Sequence, residues 1–426
     1  MLPYPPTLPI VPFTRPARGS VTLPGSKSIT NRALILAALG RKTVTLRGAL
    51  FSRDTTIMIA ALRALGIRLE ADAAAHTITV AGEGGRIPAR EAAIHVGNAG
   101  TAARFLTAFV CLRPDGVYAF DGDEAMRRRP IGALLEALES QGARADARTF
   151  PFTLRTAGLP GGRVELDASE SSQMLSALLM IAPHARQPLA VTLKGEAGSK
   201  PFVAMTEAMV QQFAAGPTAY EIEGDASAGS YFLALPLVTG GAVTLTNYAG
   251  RLQGDFRFRD VLADAGLGLD ESAGGLRASF AAGGRRRGVD RGFREFSDTF
   301  LTLAAIAPLL EGPTRITGIA HTRRQETDRV AGMARELRKL GQEVVEAEDS
   351  LEIRPRPLRP DVTIETYHDH RFAMSFGILG CHDLRGDGRP WLTIDDPGCC
   401  AKTFPAFFDL LAGLRAGSHG RPDWEA

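Results

Sequence analysis

A chain of 426 residues is longer than one ordinary core organises, so two domains are expected. Hydrophobic residues make up 45% and charged residues 23%, the balance of a soluble globular protein, and a net charge of +2 excludes global attraction to nucleic acid. Any anion must therefore be met by local clusters. Cys111, Cys381, Cys399 and Cys400 show no CxxC spacing and are too few for a disulfide scaffold, which implies reduced thiols in a cytoplasmic setting. Met1 to Arg18 is proline-rich without a secretory apolar run, and no apolar stretch reaches the roughly 18 residues of a membrane span.

In chain order, a short alternating strand (Ser20 to Leu23) runs into Pro24-Gly25-Ser26-Lys27-Ser28-Ile29-Thr30-Asn31-Arg32 and an apolar helix from Ile29 to Leu39. Gly25 permits a tight turn, and Ser26 and Ser28 can cap the helix. Lys27 and Arg32 place two cations beside a helix N-terminus, whose unpaired N–H groups already favour anions. Capping alone would explain the serines.

A pattern then recurs: amphipathic helix, glycine stop, strand, polar turn, strand. It runs from Ile57 to Ala81, from Ile131 to Thr156, from Phe258 to Phe280 and from Val330 to Arg354. Gly66, Gly142, Gly266 and Gly341 end the four helices, where a left-handed C′ residue is expected. Two further copies are damaged. The helix Phe202 to Phe213 is followed by only Ala214 to Ala219 before the strand Tyr220 to Glu223, and the helix Phe404 to Leu414 has no strands after it. One such unit cannot bury its own apolar face, so the copies must pack together, about three to each half. The expected fold is α/β, with two similar domains, residues 1–23 plus 225–426 and an inserted 24–224, and a cleft between them. Ala282 to Arg294 reads as a solvated loop.

Polar segments sit at the same point of this repeat, after a strand and opening a helix: Lys27-Ser28, Gly97-Asn98-Ala99-Gly100-Thr101, Ser171-Ser172-Gln173, Ser199-Lys200-Pro201, Ser297-Asp298, Glu326-Thr327-Asp328-Arg329, His370-Arg371 and Ala401-Lys402-Thr403. Each alone reads as a helix cap or a solvated turn, and Arg127 and Arg128 read as a solvated face. Together, Lys27, Arg129, Arg329, Arg371 and Lys402 in glycine- and serine-lined loops suit a ligand bearing phosphate and carboxylate. Asp298, Glu326 and Lys27 are the acid–base candidates. No metal-ligand spacing and no GxGxxG loop after a strand is present, so neither a metal nor a cofactor is expected.

These motifs, with Arg129-Pro130-Ile131-Gly132, Gly224-Asp225-Ala226-Ser227, Asp369-His370-Arg371 and Ala401-Lys402-Thr403-Phe404-Pro405, run in one order over nearly the whole chain. In them the sequence resembles the 5-enolpyruvylshikimate-3-phosphate synthase family of enolpyruvyl transferases. The resemblance implies two domains of three βαβαββ units each, an inside-out α/β barrel, with the third unit of the inserted domain shortened. It implies transfer of the enolpyruvyl group of phosphoenolpyruvate to the 5-hydroxyl of shikimate 3-phosphate, without a cofactor, by a monomer. Lys27, Gly100, Arg129, Gln173, Arg329, Arg371 and Lys402 would hold phosphoenolpyruvate. Ser28, Arg32, Ser171, Ser172, Gln173, Ser199, Asp298 and Gln325 would hold shikimate 3-phosphate. Asp298 would take the hydroxyl proton, and Glu326 with Lys27 would serve the enol carbon.

Four positions depart from the family pattern. Gln325 stands where a lysine is common, Phe202 where a tyrosine follows Ser-Lys-Pro, Ala125 where an arginine precedes Met126, and Phe105 where one branch has proline. Two acceptor contacts therefore lack a charge or a hydroxyl. That leaves two alternatives open: the same chemistry on a different acceptor, or a non-catalytic anion-binding relative. Cys111 falls within an apolar helix and reads as core.

Overall fold

The computed structural model describes residues 4–168, 171–194, 200–248, 252–272 and 274–419. The described residues form six small sheets on one plan, two parallel strands extended by an antiparallel pair. The plan is complete in four of them. These join Ala219–Glu221, Thr43–Arg47, Thr77–Ala81 and Leu69–Asp72; Glu91–His95, Val117–Asp121, Phe152–Arg155 and Arg144–Ala145; Ala17–Val21, Gly241–Leu245, Gly275–Phe280 and Gly268–Ser272; and Asp290–Gly292, Thr314–Thr317, Ser350–Arg354 and Glu343–Ala347. Gly66, Gly142, Gly266 and Gly341 all have positive φ, the backbone that lets each helix turn directly into its strand pair.

The other two sheets are cut short. Gly162–Leu166 pairs in parallel with Leu189–Leu193 alone, so the antiparallel pair is missing from the third unit, as the short Ala214 to Ala219 link implied. Val362–Ile364 pairs in parallel with Leu392–Asp395, whose free edge takes Thr7–Pro9 in antiparallel register. That edge strand accommodates Pro9, which has no N–H to give a ladder. The basic segment read as a loop instead contributes Asp290–Gly292, held parallel to Thr314–Thr317.

The chain divides into two compact units, Met1–Pro24 with Gly224–Ala426, and Gly25–Glu223. Each holds three helices that are buried nearly all round: Lys27–Leu39, Gly100–Val110 and Ser172–Ile181 in one, and Ala226–Thr239, Phe300–Ile306 and His370–Gly380 in the other. Within each unit they pack on one another. Their composition explains the position, since a helix apolar on every side has no face to offer water. Each buried Leu, Ile or Phe contributes roughly 1.5–3 kcal/mol. The helices Arg53–Ala64, Gly132–Glu139, Phe258–Asp264 and Arg329–Lys339 bury only one face and lie outside. Most of the polar motifs stand at or beside the N-termini of the buried helices. Glu326 to Arg329 instead opens the outer Arg329–Lys339 helix and Lys200-Pro201 the Lys200–Ala214 helix, while Lys402 ends a 3-10 turn, Pro397–Lys402, and the next helix begins only at Phe407.

Candidate active site

In the Gly25–Glu223 unit, Ser26 caps the Lys27–Leu39 helix by accepting from the Ile29 N–H. A Cβ on Gly25 would stand 1.9 Å from the Gly48 carbonyl oxygen, so only glycine lets the two backbones approach. The Lys27 ammonium lies 3.5 Å from the carboxylate of Asp54, which is buried in the first turn of the next helix. Gly100 opens its helix without a side-chain cap, and the Arg129 guanidinium covers it. Arg129 donates to Asn98 Oδ1 at 3.5 Å. The buried Arg104 donates to the carbonyls of Gly100 and Pro130, tying the helix start to the Arg129 segment. Ser171 caps the third buried helix by accepting from the Gln173 N–H at 3.3 Å, and Gln173 Oε1 is buried with no partner among the described residues. Ser172 is buried, Ser28 is half-buried, and Ser199 lies outside the described residues.

Arg32 is 1% exposed. It donates to the hydroxyls of Thr206 and Ser176 and to the carbonyls of Ser28 and Phe202. The rings of Phe105 and Phe202 face its guanidinium at 5.1 and 5.8 Å. Two of the four departures thus converge on one cation. No described carboxylate pairs with it, and burial pushes its pKa down to about 9, still charged at neutral pH. In this arrangement Arg32 supports the Ser28 and Phe202 backbones from below.

In the other unit, cations and carboxylates interlock. Arg329 is buried and donates to Asp369 at 2.7 Å, to Asp298 at 3.0 Å, to Glu326 at 2.9 Å and to the side-chain carbonyl of Gln325. Arg371 donates to the other oxygen of Asp298 at 2.5 Å and to the Tyr231 hydroxyl at 3.4 Å. Lys402 lies 3.7 Å from the second oxygen of Glu326. Burial would lower the pKa of both arginines, but the carboxylates outweigh it and hold both above the ordinary range. Asp298 therefore bridges two guanidiniums, and Glu326 bridges Arg329 and Lys402. Next to Asp298, Ser297 Oγ lies 2.9 Å from His321 Nε2, and burial lowers the pKa of that imidazole.

Such an arrangement offers anions a fixed set of donors and holds each bridging carboxylate at a fixed point between cations. The comparisons with known proteins agree on its family. The EPSP synthase (3-phosphoshikimate 1-carboxyvinyltransferase) family model matches residues 13–217 and 214–411. The chain belongs to the EPSP synthase family. A 3-phosphoshikimate 1-carboxyvinyltransferase of Opitutus terrae is 54% identical over 98% of this chain and 99% of its own length, and one of Trichormus variabilis is 39% identical over 94% and 97%. Among solved structures, EPSP synthase of Acinetobacter baumannii shares the fold at TM-score 0.77 and 24% identity, covering 96% of this chain and 98% of its own. The enolpyruvyl transferase NikO of Streptomyces tendae shares it at TM-score 0.74 and 17% identity, over 96% and 97%.

Against that family background, the partners of the cations are what sequence reasoning missed. Asp54 hides in a capping-box turn (Ser52 to Thr55), and Asp369 reads as the N-cap it also is, accepting from the Arg371 N–H at 2.9 Å. Neither spacing distinguishes a cap from a counter-ion. Arg323, two residues before Gln325, is committed to Asp328 and Glu346. Arg127 and Arg128 pair with Asp121 and Glu124 on the surface. Cys111 is core, and burial pushes its thiol up to about 12. No described helix is long and apolar enough to cross a membrane.

Proposed function

We propose that this protein transfers the enolpyruvyl group of phosphoenolpyruvate to the 5-hydroxyl of shikimate 3-phosphate and releases phosphate. The observation that carries the reading is the 54% identity, over full length, to a relative named for that activity, with a family match that reaches into both units. It is a cytoplasmic reaction of small molecules in this reading. Oxygen O5 bonds to C2 of the donor while C3 gains a proton. The tetrahedral intermediate then loses a proton from C3 as its bond to phosphate breaks.

Asp298 accepts the hydroxyl proton. Its two oxygens already face Arg329 and Arg371, so protonation leaves both guanidiniums with charge to turn on the donor as phosphate departs. Glu326, held between Arg329 and Lys402, exchanges the C3 proton together with Lys27. Arg329, Arg371 and Lys402 hold the donor with Lys27, Gly100, Arg129 and Gln173. The acceptor is met by Ser28, Arg32, Ser171, Ser172, Gln173, Ser199, Asp298 and Gln325.

A second reading keeps the chemistry and changes the acceptor. It is favoured by Gln325, which turns to Arg329, and by Phe202, whose ring faces Arg32. Phosphate release from phosphoenolpyruvate with shikimate 3-phosphate, with shikimate as control, tests the first reading. Absence of release with purified, folded protein overturns it.

A further inference from the structure

Behind the Asp298–Arg371 pair stands a carboxyl that the reaction above does not use. Asp255 lies on the 3-10 turn Gly254–Arg257, buried, and this turn packs against the turn that carries Asp298. Its Oδ2 accepts from the Ser227 hydroxyl, in the first turn of the Ala226–Thr239 helix. The adjoining Gln253 fixes the same helix start, accepting from the Ala226 N–H at 3.0 Å and donating to the Gly224 carbonyl at 2.8 Å. Among the described residues, Asp255 has no cation within ion-pair distance.

The groups around it decide where charge can reside. Asp225, the N-cap of that helix, and Asp298 present like charge, and Arg371 presents the opposite charge. Tyr248, buried with no partner for its hydroxyl among the described residues, faces the charge of Asp255 and that of Arg259 and Asp260 on the Phe258–Asp264 helix. Asp298 has two guanidiniums bonded to it, whereas Asp255 has one hydroxyl. A buried and a half-buried carboxylate facing one arginine do not both ionise easily, and the better-supported one, Asp298, ionises first.

We infer that Asp255 is a positioning residue of the reaction: it carries a proton while Asp298 carries none, and so leaves the charge of Arg371 available to the donor. Burial and the charge of Asp298 raise Asp255 to about 7, against the opposing pull of Ser227 and Arg371. Above that pH a second negative charge faces Arg371, and an anionic donor is held less well.

The inference rests on the enolpyruvyl-transfer reading, and the experiment separates the two. The Michaelis constant for phosphoenolpyruvate is measured from pH 5.5 to 9.5 in the unmodified enzyme, Asp255→Asn and Ser227→Ala. In the unmodified enzyme it rises about tenfold across pH 7, the effect of one pKa unit of coupling. Asp255→Asn, which imitates the protonated form, matches it at pH 6 and stays flat. In Ser227→Ala the rise moves to higher pH, because a bond to the ionised form is gone. An infrared band of a protonated carboxyl, lost in Asp255→Asn and on raising the pH, reports the proton without any turnover. Absent activity with the band present defeats the transfer reading alone. A parallel rise in Asp255→Asn, an equal loss at pH 6 and pH 9, or no such band overturns the inference.

Discussion

The Arg129 guanidinium rests on Gly100 so closely that a Cβ there would stand 2.8 Å from both Nη1 and Nη2. Gly100 opens its helix without a positive φ, so alanine meets no backbone strain there, while its Cβ would push Arg129 aside. The two effects separate cleanly. Gly100→Ala is expected to keep the melting temperature and to raise the Michaelis constant for phosphoenolpyruvate about tenfold, near 1.4 kcal/mol. An unchanged constant would show that Arg129 does not hold the donor.

Arg371 and Lys27 predict a different signature. Removing either takes a charge-assisted donor from the donor-binding set, an effect of roughly 2–4 kcal/mol on kcat/KM. Arg371→Ala leaves Asp298 still bonded to Arg329, so the fold should survive. Steady-state kinetics alongside circular dichroism should show a 30- to 1000-fold loss, roughly, with native helix content. Near-normal kinetics for either variant would end its assignment.

Asp255 also links stability to pH. Its folded pKa, about 7, lies above the ordinary aspartate value of 3.8, so the folded state binds the extra proton. Stability from this group is therefore complete below about pH 4 and declines as pH rises through 7. Asp255→Asn does not titrate. Its stability relative to the unmodified protein should grow between pH 4 and pH 7 and level off above, by a few kcal/mol in urea unfolding. A pH-independent difference would show that Asp255 is ionised throughout.

The repeat was legible because each copy states itself locally, in an apolar period and a glycine at the helix end. The shortened unit was legible for the same reason, since six residues cannot hold a strand pair. What stayed hidden was non-local. Thr7–Pro9 is a strand only because Leu392–Asp395 offers it an edge, and Asp290–Gly292 only because Thr314–Thr317 does. The cations of the candidate site could be picked out by residue type beside glycine and serine. Their counter-ions could not, because Asp54 and Asp369 occupy helix starts, where an aspartate needs no further explanation.

Gln325 bears most directly on the acceptor. Read from sequence, it is a lysine lost, and restoring that lysine should return about 1.5–3 kcal/mol of acceptor affinity. The structure changes the expectation, because the Gln325 carbonyl accepts from Arg329 one helical turn on. A lysine there removes that acceptor and sets a second cation against a guanidinium already holding Asp298, Glu326 and Asp369. Like charges at this spacing repel. Gln325→Lys should therefore raise the Michaelis constant for phosphoenolpyruvate, whatever it does for shikimate 3-phosphate, and Gln325→Glu should raise it as well, because it keeps an acceptor but sets a further negative charge against an anionic donor. Phe202→Tyr adds a hydroxyl to a ring already placed over Arg32, so it should lower only the acceptor constant. Measuring both constants for the three variants decides the matter: a lower acceptor constant and an unaltered donor constant in Gln325→Lys would show that Gln325 stands in for a lost acceptor contact and does not support Arg329.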